Sequence, residues 1–179
     1  CLACGSTDLV ATLDLQDQPL ANSFQQHPGV RDEDPWYPLA VNRCKHCDHL
    51  QLTHAVDPRL IYTHYLYVSG TSKTYLDYMD WYAGWAMEQY QMRHPINRKA
   101  MSVLDIGCND GSQLDAFLRR GNIKTCGVDP AENLYAASTV KGHSVVCGFW
   151  NANSADLIRL NSNTTAFDIV TSQNAFAHI

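Results

Sequence analysis

Four cysteines in two C-x-x-C pairs are the first residues whose spacing suggests chemistry: Cys1 with Cys4, and Cys44 with Cys47. Each C-x-x-C turn can present two thiolates to one ion, and two such turns complete the tetrahedral ligand set that zinc prefers. Since the sequence carries no export signal, a metal is favoured over disulfides. We therefore predict a structural zinc site with these four cysteines as its ligands.

Two alternatives to this ligand set stay open at the level of the sequence. The 39 residues between the pairs, 5–43, exceed the usual spacing of a zinc ribbon, which leaves reduced, uncoordinated thiols as one alternative. His46 and His49 flank the second pair and could replace a thiolate, although a solvent-exposed histidine is the commoner case. The remaining cysteines are isolated and read as small apolar side chains. They are Cys108, Cys126 and Cys147.

A glycine-bearing turn is the second candidate site, in the stretch VLDIGCNDGS at 103–112. A dinucleotide site would have a glycine where Asn109 stands, so that the backbone could approach a pyrophosphate. Asp105 lies two residues before Gly107 and suits a cation rather than a phosphate. S-adenosylmethionine (SAM) has no phosphate and presents an ammonium, a carboxylate and a sulfonium. A carboxylate with loop carbonyls matches its ammonium, and N–H groups match its carboxylate.

A second acidic residue stands at a consistent distance from this turn. Asp129 follows Gly107 by 22 residues, which is where a carboxylate accepts the two ribose hydroxyls of a nucleoside. We therefore predict a SAM site, although a glycine turn with a helix-capping aspartate in another kind of α/β protein is the alternative. For Asn109 and Asp110, a plain turn role fits as well as ligand contact. The predicted cofactor-binding residues here are Asp105, Gly107, Asn109, Asp110, Gly111 and Asp129.

Alternating strands and helices must position these groups. From residue 101 the pattern predicts strands at 102–106, 125–128, 144–146 and 168–172, with helices at 112–120, 132–141 and 154–160. Such alternation predicts a parallel, doubly wound sheet with a ligand crevice at the carboxyl ends of its strands. The predicted fold class is therefore α/β, an incomplete Rossmann-like sheet of the class I methyltransferase type, preceded by a small zinc-binding β domain and a helical linker.

We predict three regions along the chain: a zinc-binding domain at 1–55, a helical linker or lid at 56–100 and a partial SAM-binding domain at 101–179. Strands at 8–15, 36–42 and 49–53 are separated by turns around Pro19, Pro28-Gly29 and 32–35. A helical pattern at 57–98 is broken at Ser69-Gly70 and ends at His94-Pro95. One helix face carries a stripe that we interpret as packing against the next domain. Its members are Tyr75, Met79, Tyr82, Ala86 and Tyr90.

The composition narrows the class of function. The chain has 179 residues, 45% of them hydrophobic and 17% charged, and a net charge of −5, so it is globular and has no basic field for nucleic acid. We expect a small-molecule substrate. No apolar run is long enough for a membrane span and no signal peptide is evident, so we expect a cytoplasmic protein without a membrane partner. The missing initiator Met, and an end inside a recognisable unit, predict further sequence at both ends.

Taken together, these motifs resemble the class I SAM-dependent sugar C-methyltransferases of the tetronitrose type, which carry an N-terminal zinc-binding domain. The resemblance rests on the two cysteine pairs, YLYVSGTS at 65–72, the turn at 105–111 and SQNAFAHI at 172–179. It covers the whole chain but less than half of a full family member. It implies a nucleotide-linked keto-deoxysugar as substrate, and a zinc domain and tyrosine-rich segment that close over the SAM crevice.

The resemblance also implies roles for individual residues. Tyr65, Tyr67, Ser69 and Ser72 would line the methyl-transfer site, while Asn174 and His178 would lie beside the methyl group. On this basis Tyr65, Ser69 and Asn174 are candidates for cofactor binding, and Tyr67 and His178 for catalysis. C-methylation beside a ketone needs a base, a stabilised enolate and in-line attack on the methyl group. The resemblance places the base beyond residue 179, so orientation of the SAM pocket by His178 and core packing by Tyr67 stay open.

One departure from the family pattern concerns adenine. The turn at 147–150 reads CGFW and has no acidic residue for the adenine amino group, so stacking by Phe149 or Trp150 would have to replace it. Two alternative functions remain. An NAD-type dehydrogenase is disfavoured by Asn109, and a non-catalytic zinc-ribbon interaction module by the negative charge. Because a sheet of four strands leaves an edge uncovered, we expect this chain not to be fully active alone.

Overall fold

The computed structural model describes residues 1–24, 35–94 and 101–178. The chain forms two compact units, Cys1–Ile61 and Tyr62–Ile179. The predicted turns at Pro28-Gly29 and 32–34, the predicted helix end at Pro95 and the last residue, Ile179, lie outside the described residues. Within the described residues, no helix combines the length and the apolar character that crossing a bilayer requires.

The first unit is a three-stranded antiparallel sheet with the order β1-β2-β3, formed by β1 (Leu9–Pro19), β2 (Trp36–Cys44) and β3 (Leu50–Leu52). All three predicted strands are present. Strand β1 continues past its predicted end because a register shift after Asp14, with Gln16 at φ 62°, lets its pairing with β2 resume. Most side chains of this sheet are exposed, so the unit has little apolar core of its own. A short helix, α1 (Pro58–Tyr62), follows.

The second unit contains a four-stranded parallel sheet with the order β6-β5-β4-β7. Its strands are β4 (Met101–Ile106), β5 (Ile123–Asp129), β6 (Ser144–Cys147) and β7 (Ile169–Thr171). The first strand in the chain, β4, lies between β5 and β7, so the strand order reverses beside it. The carboxyl end of β4 is therefore the switch point where an open α/β sheet binds its ligand.

Helices cover both faces of this sheet. They are α2 (Lys73–Arg93), α3 (Ser112–Leu118), α4 (Glu132–Thr139) and α5 (Ala152–Ser162). Helix α5 begins two residues before its predicted start because Asn151 and Ser154 form a capping box, and Asn163 ends it in the left-handed conformation. The predicted alternation of strands and helices is confirmed, with end positions that differ by a few residues.

The sheet residues divide between two apolar clusters. Val103 packs with Phe117 of α3 and with α2, whereas Leu104 and Ile106 pack with Ile158 of α5 on the opposite face. The predicted stripe on α2 is confirmed as a packing face, because Met79 and Ala86 are buried and its tyrosines lie against the same cluster. Side chains alternate along a strand, so Asp105 falls on the Val103 side, the side that α2 covers.

Candidate metal centre and cofactor site

The four cysteines of the predicted zinc site lie together in the first unit. The Sγ atoms of Cys1 and Cys47 are 3.7 Å apart, those of Cys4 and Cys44 are also 3.7 Å apart, and all four lie within 4.8 Å of one another. Four sulfurs held about 2.3 Å from a zinc ion at tetrahedral angles lie about 3.8 Å apart. The donor set therefore fits a closed, structural zinc site. His46 and His49 are not members of this cluster.

Backbone hydrogen bonds shape the turn between Cys44 and Cys47 and shift the pKa values of its thiols. The N–H of Asp48 donates to the Cys44 carbonyl and the N–H of Cys44 to the His49 carbonyl, each at 2.9 Å, which closes the second knuckle. Asp48 adopts φ 59°, so the chain turns sharply after Cys47. The backbone N–H of Cys47 is the main cause that lowers the pKa of the Cys44 thiol to about 7. A metal binds the thiolate form, so this shift favours a ligand role for Cys44. At Cys47 the His49 backbone acts to lower the pKa, but the Cys4 thiol and burial raise it overall, so an ion would have to displace that proton.

In the second unit, the turn after β4 packs closely against the loop after β7. Gly107 has φ 80°, and a Cβ added there would lie 2.5 Å from the Cβ of Ala175, in the loop after β7. Its N–H donates to the Val128 carbonyl at 2.8 Å, which ties the turn to β5. The predicted Gly107 is thus required by the tertiary packing of two loops at the switch point.

Asp105 is a buried carboxylate at this switch point. It is 4% exposed, and its Oδ1 accepts a hydrogen bond of 2.7 Å from the Thr171 hydroxyl. Burial raises the pKa of Asp105 to about 7, against the opposing effect of that hydrogen bond. Among the ion pairs between described residues, none includes Asp105. A buried carboxylate without a cation is costly, so a cationic ligand would stabilise its ionised form.

Asp129 stands at the end of β5, beside the same turn. Its Oδ2 accepts from the Asn109 N–H at 2.7 Å and its Oδ1 from the Ala131 N–H at 2.9 Å. Burial raises the pKa of Asp129, while these two N–H groups oppose the rise. The structure thus brings Asp105, Gly107 and Asp129 to one edge of the sheet, as the sequence predicts.

The side chains of Asn109 and Asp110 contact the chain at 65–70, which we call the tyrosine segment. Asn109 Oδ1 accepts from the Ser69 N–H and its Nδ2 donates to the Tyr67 carbonyl, both at 2.9 Å. Asp110 Oδ2 accepts from the Gly70 N–H at 3.2 Å and from the Ser112 hydroxyl at 2.8 Å. Gly111 has φ 80° and is the N-cap residue immediately before α3. Cofactor contact by Asn109, Asp110 and Gly111 stays a prediction.

The three predicted side chains of the tyrosine segment differ in how exposed they are to solvent. Ser69 is buried, Tyr65 is half-buried, and the Tyr67 side chain is 48% exposed. Ser72 caps α2, because its hydroxyl accepts from the Tyr75 N–H at 3.3 Å. The exposed ring of Tyr67 leaves its phenol open to a ligand, whereas the hydroxyl of Ser72 already accepts the hydrogen bond that caps α2.

Asn174 and His178 both follow β7. Asn174 has φ 53°, and its Nδ2 donates to the Tyr75 hydroxyl at 3.3 Å. The His178 ring lies 5.8 Å from the ring of Tyr62, which in turn lies 5.8 Å from the ring of Tyr65. Both residues are exposed. The structure thus brings His178 beside the aromatic residues at the start of this unit.

Near the predicted adenine position, Trp150 packs against the apolar cluster that includes Leu104 and Ile158. This contact gives Trp150 a role in the core, and Phe149, which is partly buried, remains the candidate for stacking on adenine. Neither residue has an acidic neighbour in the turn. The adenine contact stays a prediction.

Sequence reasoning missed three residues at this site: Thr171, Tyr75 and Asn133. Thr171 pairs in register with Asp105, so a polar residue at the end of a neighbouring apolar strand was the available signal. Tyr75 belongs to the packing stripe of α2, and burial raises the pKa of its phenol beside Asn174. Its helical spacing indicated only a packing role and not its hydrogen bond with Asn174. Asn133 gave no signal, because its partner is 68 residues away in the chain.

Comparisons with known proteins agree with this geometry. Residues 1–62 match a family model described as "Putative zinc binding domain", and residues 103–179 match one described as "Methyltransferase domain". The C-methyltransferase NovU of Streptomyces niveus is 24% identical over 179 residues, 100% of this chain and 41% of NovU. The chain therefore spans about two fifths of the length of this curated relative.

A solved structure of the plantazolicin methyltransferase BpumL, in complex with a monoazolic desmethylPZN analog and SAH, is 19% identical. The likeness covers 42% of this chain and 28% of BpumL with a TM-score of 0.32. The parallel sheet, the domain match and the clustered cysteines carry the assignment. The second unit is a Rossmann-like domain whose residues 103–179 match a methyltransferase domain, and four cysteines cluster in residues 1–62, which match a putative zinc binding domain.

Proposed function

We propose that this chain is the cofactor-binding portion of a SAM-dependent C-methyltransferase that methylates a nucleotide-linked keto-deoxysugar through an enolate. The single observation that carries the SAM site is Asp105, a buried carboxylate without a cationic partner among the described residues, beside Gly107 at the switch point. Carbon as the methylated atom is supported by the likeness to NovU, a C-methyltransferase. The sugar substrate is supported by the motif order that the chain shares with sugar C-methyltransferases.

Three of the predicted residues have a defined task at the cofactor in this proposal. Asp105 holds the ammonium group, with the loop carbonyls as further acceptors. Asp129 accepts the ribose hydroxyls, and Gly107 lets the backbone approach the cofactor. When bound, SAM supplies an electrophilic methyl group on its sulfonium. Asp105 and Asp129 would fix the cofactor at two points and so orient this group toward the acceptor.

The tyrosine segment and the loop after β7 supply the candidates for proton handling. Asn109 binds the Tyr67 carbonyl and leaves the phenol exposed, so Tyr67 can donate a hydrogen bond to the enolate oxygen. His178 follows β7 and lies beside the aromatic pair Tyr62 and Tyr65, where it can orient the acceptor or relay a proton. The enolate needs both stabilisation and removal of the α-proton.

Zinc has a structural task in this proposal. Cys1, Cys4, Cys44 and Cys47 would hold the ion in a closed four-thiolate site with no position for substrate. The cross-link would stabilise a small sheet whose side chains are mostly exposed.

Titration calorimetry of the chain with SAM, S-adenosylhomocysteine and NAD tests the cofactor assignment. Binding of the first two without NAD is the expected result. Binding of NAD alone would instead favour the dehydrogenase alternative, and binding of none by a folded protein would favour an interaction module. Incubation of the protein with a nucleotide-linked keto-deoxysugar in deuterated water tests the acceptor, because an enolate route exchanges the α-proton for deuterium.

A further inference from the structure

Two asparagines bind the main chain of the tyrosine segment. Asn133 Oδ1 accepts from the Tyr65 N–H at 2.9 Å and its Nδ2 donates to the Tyr65 carbonyl at 2.9 Å. Asn109 makes the same pair of bonds, one from the Ser69 N–H and one to the Tyr67 carbonyl. A side-chain amide can donate and accept at once, so each asparagine acts like one rung of a β-ladder.

Both asparagines belong to the turns that hold the proposed cofactor residues. Asn109 follows β4, and its own N–H donates to Asp129 Oδ2 at 2.7 Å. Asn133 lies in the first turn of α4, four residues after Asp129. Two further bonds lie beside these: the Glu132 N–H donates to the carbonyl of Thr63, two residues before the segment, at 2.9 Å, and the Gly70 N–H donates to Asp110 Oδ2 at 3.2 Å. The segment is therefore attached at both ends to the turns that flank Asp129.

These contacts leave little freedom for the Asn109 side chain. Asn109 is 8% exposed, adopts φ 51°, and uses both its amide oxygen and its amide nitrogen on the segment. These two bonds fix the orientation of the amide, so any cofactor contact through its remaining N–H or lone pair would be made from this position. Its backbone N–H, by contrast, contacts the carboxylate proposed to bind ribose. Asn109 thus connects the cofactor turn with the tyrosine segment.

We infer that Asn109 and Asn133 are positioning residues. They fix the main chain of the tyrosine segment beside the cofactor turns, so that the side chain of Tyr67 is presented to the acceptor. This inference rests on the proposed function. It assigns Asn133 a role in acceptor binding and catalysis that works through the main chain of Tyr65. It also predicts that the two asparagines matter more for the acceptor than for SAM.

Asn133→Ala is the direct test, because Asn133 is exposed and its loss leaves no buried polar group behind. Asn153→Ala is the matched control: Asn153 is also exposed and is also the second residue of its helix, α5. Asn133→Asp provides an intermediate, since aspartate keeps the acceptor for the Tyr65 N–H and loses the donor to the Tyr65 carbonyl. Both helices gain the same helix propensity from alanine, so a difference between the variants reports the segment contact.

Amide hydrogen exchange, SAM affinity and steady-state kinetics form the readouts. In Asn133→Ala we expect the Tyr65 amide to exchange about tenfold faster and kcat/KM for the acceptor to fall about tenfold, the effect of losing one or two net hydrogen bonds. The Kd for SAM should change less than about threefold, and Asn133→Asp should give an intermediate loss. Asn153→Ala should match the parent protein throughout.

Two results would overturn the inference: exchange and kinetics that are the same in Asn133→Ala and Asn153→Ala, or a loss of SAM affinity as large as the loss in kcat/KM. Failure of the proposed function has a different signature. A parent protein that binds no SAM would refute that function. Exchange at the Tyr65 amide in the protein without ligand would still decide whether Asn133 holds the segment.

Discussion

Asp105 is the residue on which the cofactor assignment depends most. Its carboxylate is buried, its only described partner is the Thr171 hydroxyl, and burial raises its pKa to about 7. Near neutral pH the ionised form is therefore poorly stabilised by the protein itself. A bound ammonium would supply the missing opposite charge and so stabilise the ionised form of this carboxylate.

Asp105→Asn should weaken SAM binding by about 1.4–2.8 kcal/mol, or 10- to 100-fold, because the amide removes a charge-assisted contact to the ammonium. Titration calorimetry at pH 8 measures this change. Asp156→Asn is the control, since Asp156 is an exposed residue of α5 that pairs with Arg159. Equal SAM affinity in both variants would remove Asp105 from the cofactor site.

Tyr67→Phe should lower kcat by roughly 100-fold, the lower range for loss of a proton-donating group, and leave the Kd for SAM unchanged. The reason is that the Tyr67 phenol is exposed while its carbonyl is held by Asn109. Tyr78→Phe is the control, because Tyr78 is also an exposed tyrosine but lies on α2. An unchanged kcat would mean that Tyr67 serves packing alone.

At the scale of elements, the site depends on where the loops after β4, β5 and β7 approach one another. Gly107 allows the loop after β4 to lie against Ala175 in the loop after β7. The first unit depends instead on one cross-link, because β1 and β2 are largely exposed. Two substitutions test these dependences separately.

Gly107→Ala should lower the free energy of unfolding by about 2–3 kcal/mol, since alanine meets both a strained positive φ and a contact of 2.5 Å with the Ala175 Cβ. Gly142→Ala is the control, because Gly142 also has a positive φ, of 90°, but nothing lies within 4 Å of an added Cβ. Urea unfolding of the two variants isolates the steric part. Equal losses would show that the loops after β4 and β7 are farther apart in solution.

Cys44→Ser should abolish stoichiometric zinc and destabilise the sheet of the first unit, because three thiolates leave the tetrahedral set incomplete. Zinc analysis by mass spectrometry and the thermal transition of the first unit measure the change. Cys147→Ser should retain zinc, since Cys147 is exposed and lies outside the cluster. Zinc retained in Cys44→Ser would refute the ligand assignment.

At the scale of the whole molecule, the buried carboxylate makes stability depend on pH. Asp105 has a folded-state pKa of about 7 against an ordinary value of 3.8. Its contribution to stability is therefore fully present below the ordinary pKa and is lost as the pH rises to about 7. SAM binding should offset this loss near neutral pH.

In the protein without ligand, Asp105→Asn should remove part of the decline in unfolding free energy between about pH 4 and 7, a difference on the order of 1–3 kcal/mol. Urea unfolding at pH 5 and pH 8 measures it for the parent and the variant. If the difference between the two pH values is the same in both proteins, Asp105 does not titrate in this window.

The order of strands and helices, the pairing of four cysteines into one candidate metal site and the acidic ends of β4 and β5 followed from the sequence alone. These features depend on local periodicity, on short motifs and on spacing along one stretch of chain. The division of the chain also required the structure: the predicted linker at 56–100 contributes α2 to the second unit, where Arg120 of α3 pairs with Asp80.

Only the tertiary structure decided which groups meet across long stretches of chain. Asp105 meets Thr171, Asn109 meets Ser69 and Asn133 meets Tyr65, over separations of 66, 40 and 68 residues. Hydrogen bonds between residues so far apart in the chain produce no periodic pattern in the sequence. They depend on the order of strands in the sheet and on which loops lie at the same edge of it. The sequence therefore determined the chemistry available to this protein, and the packing of the second unit decided which side chains remain free to use it.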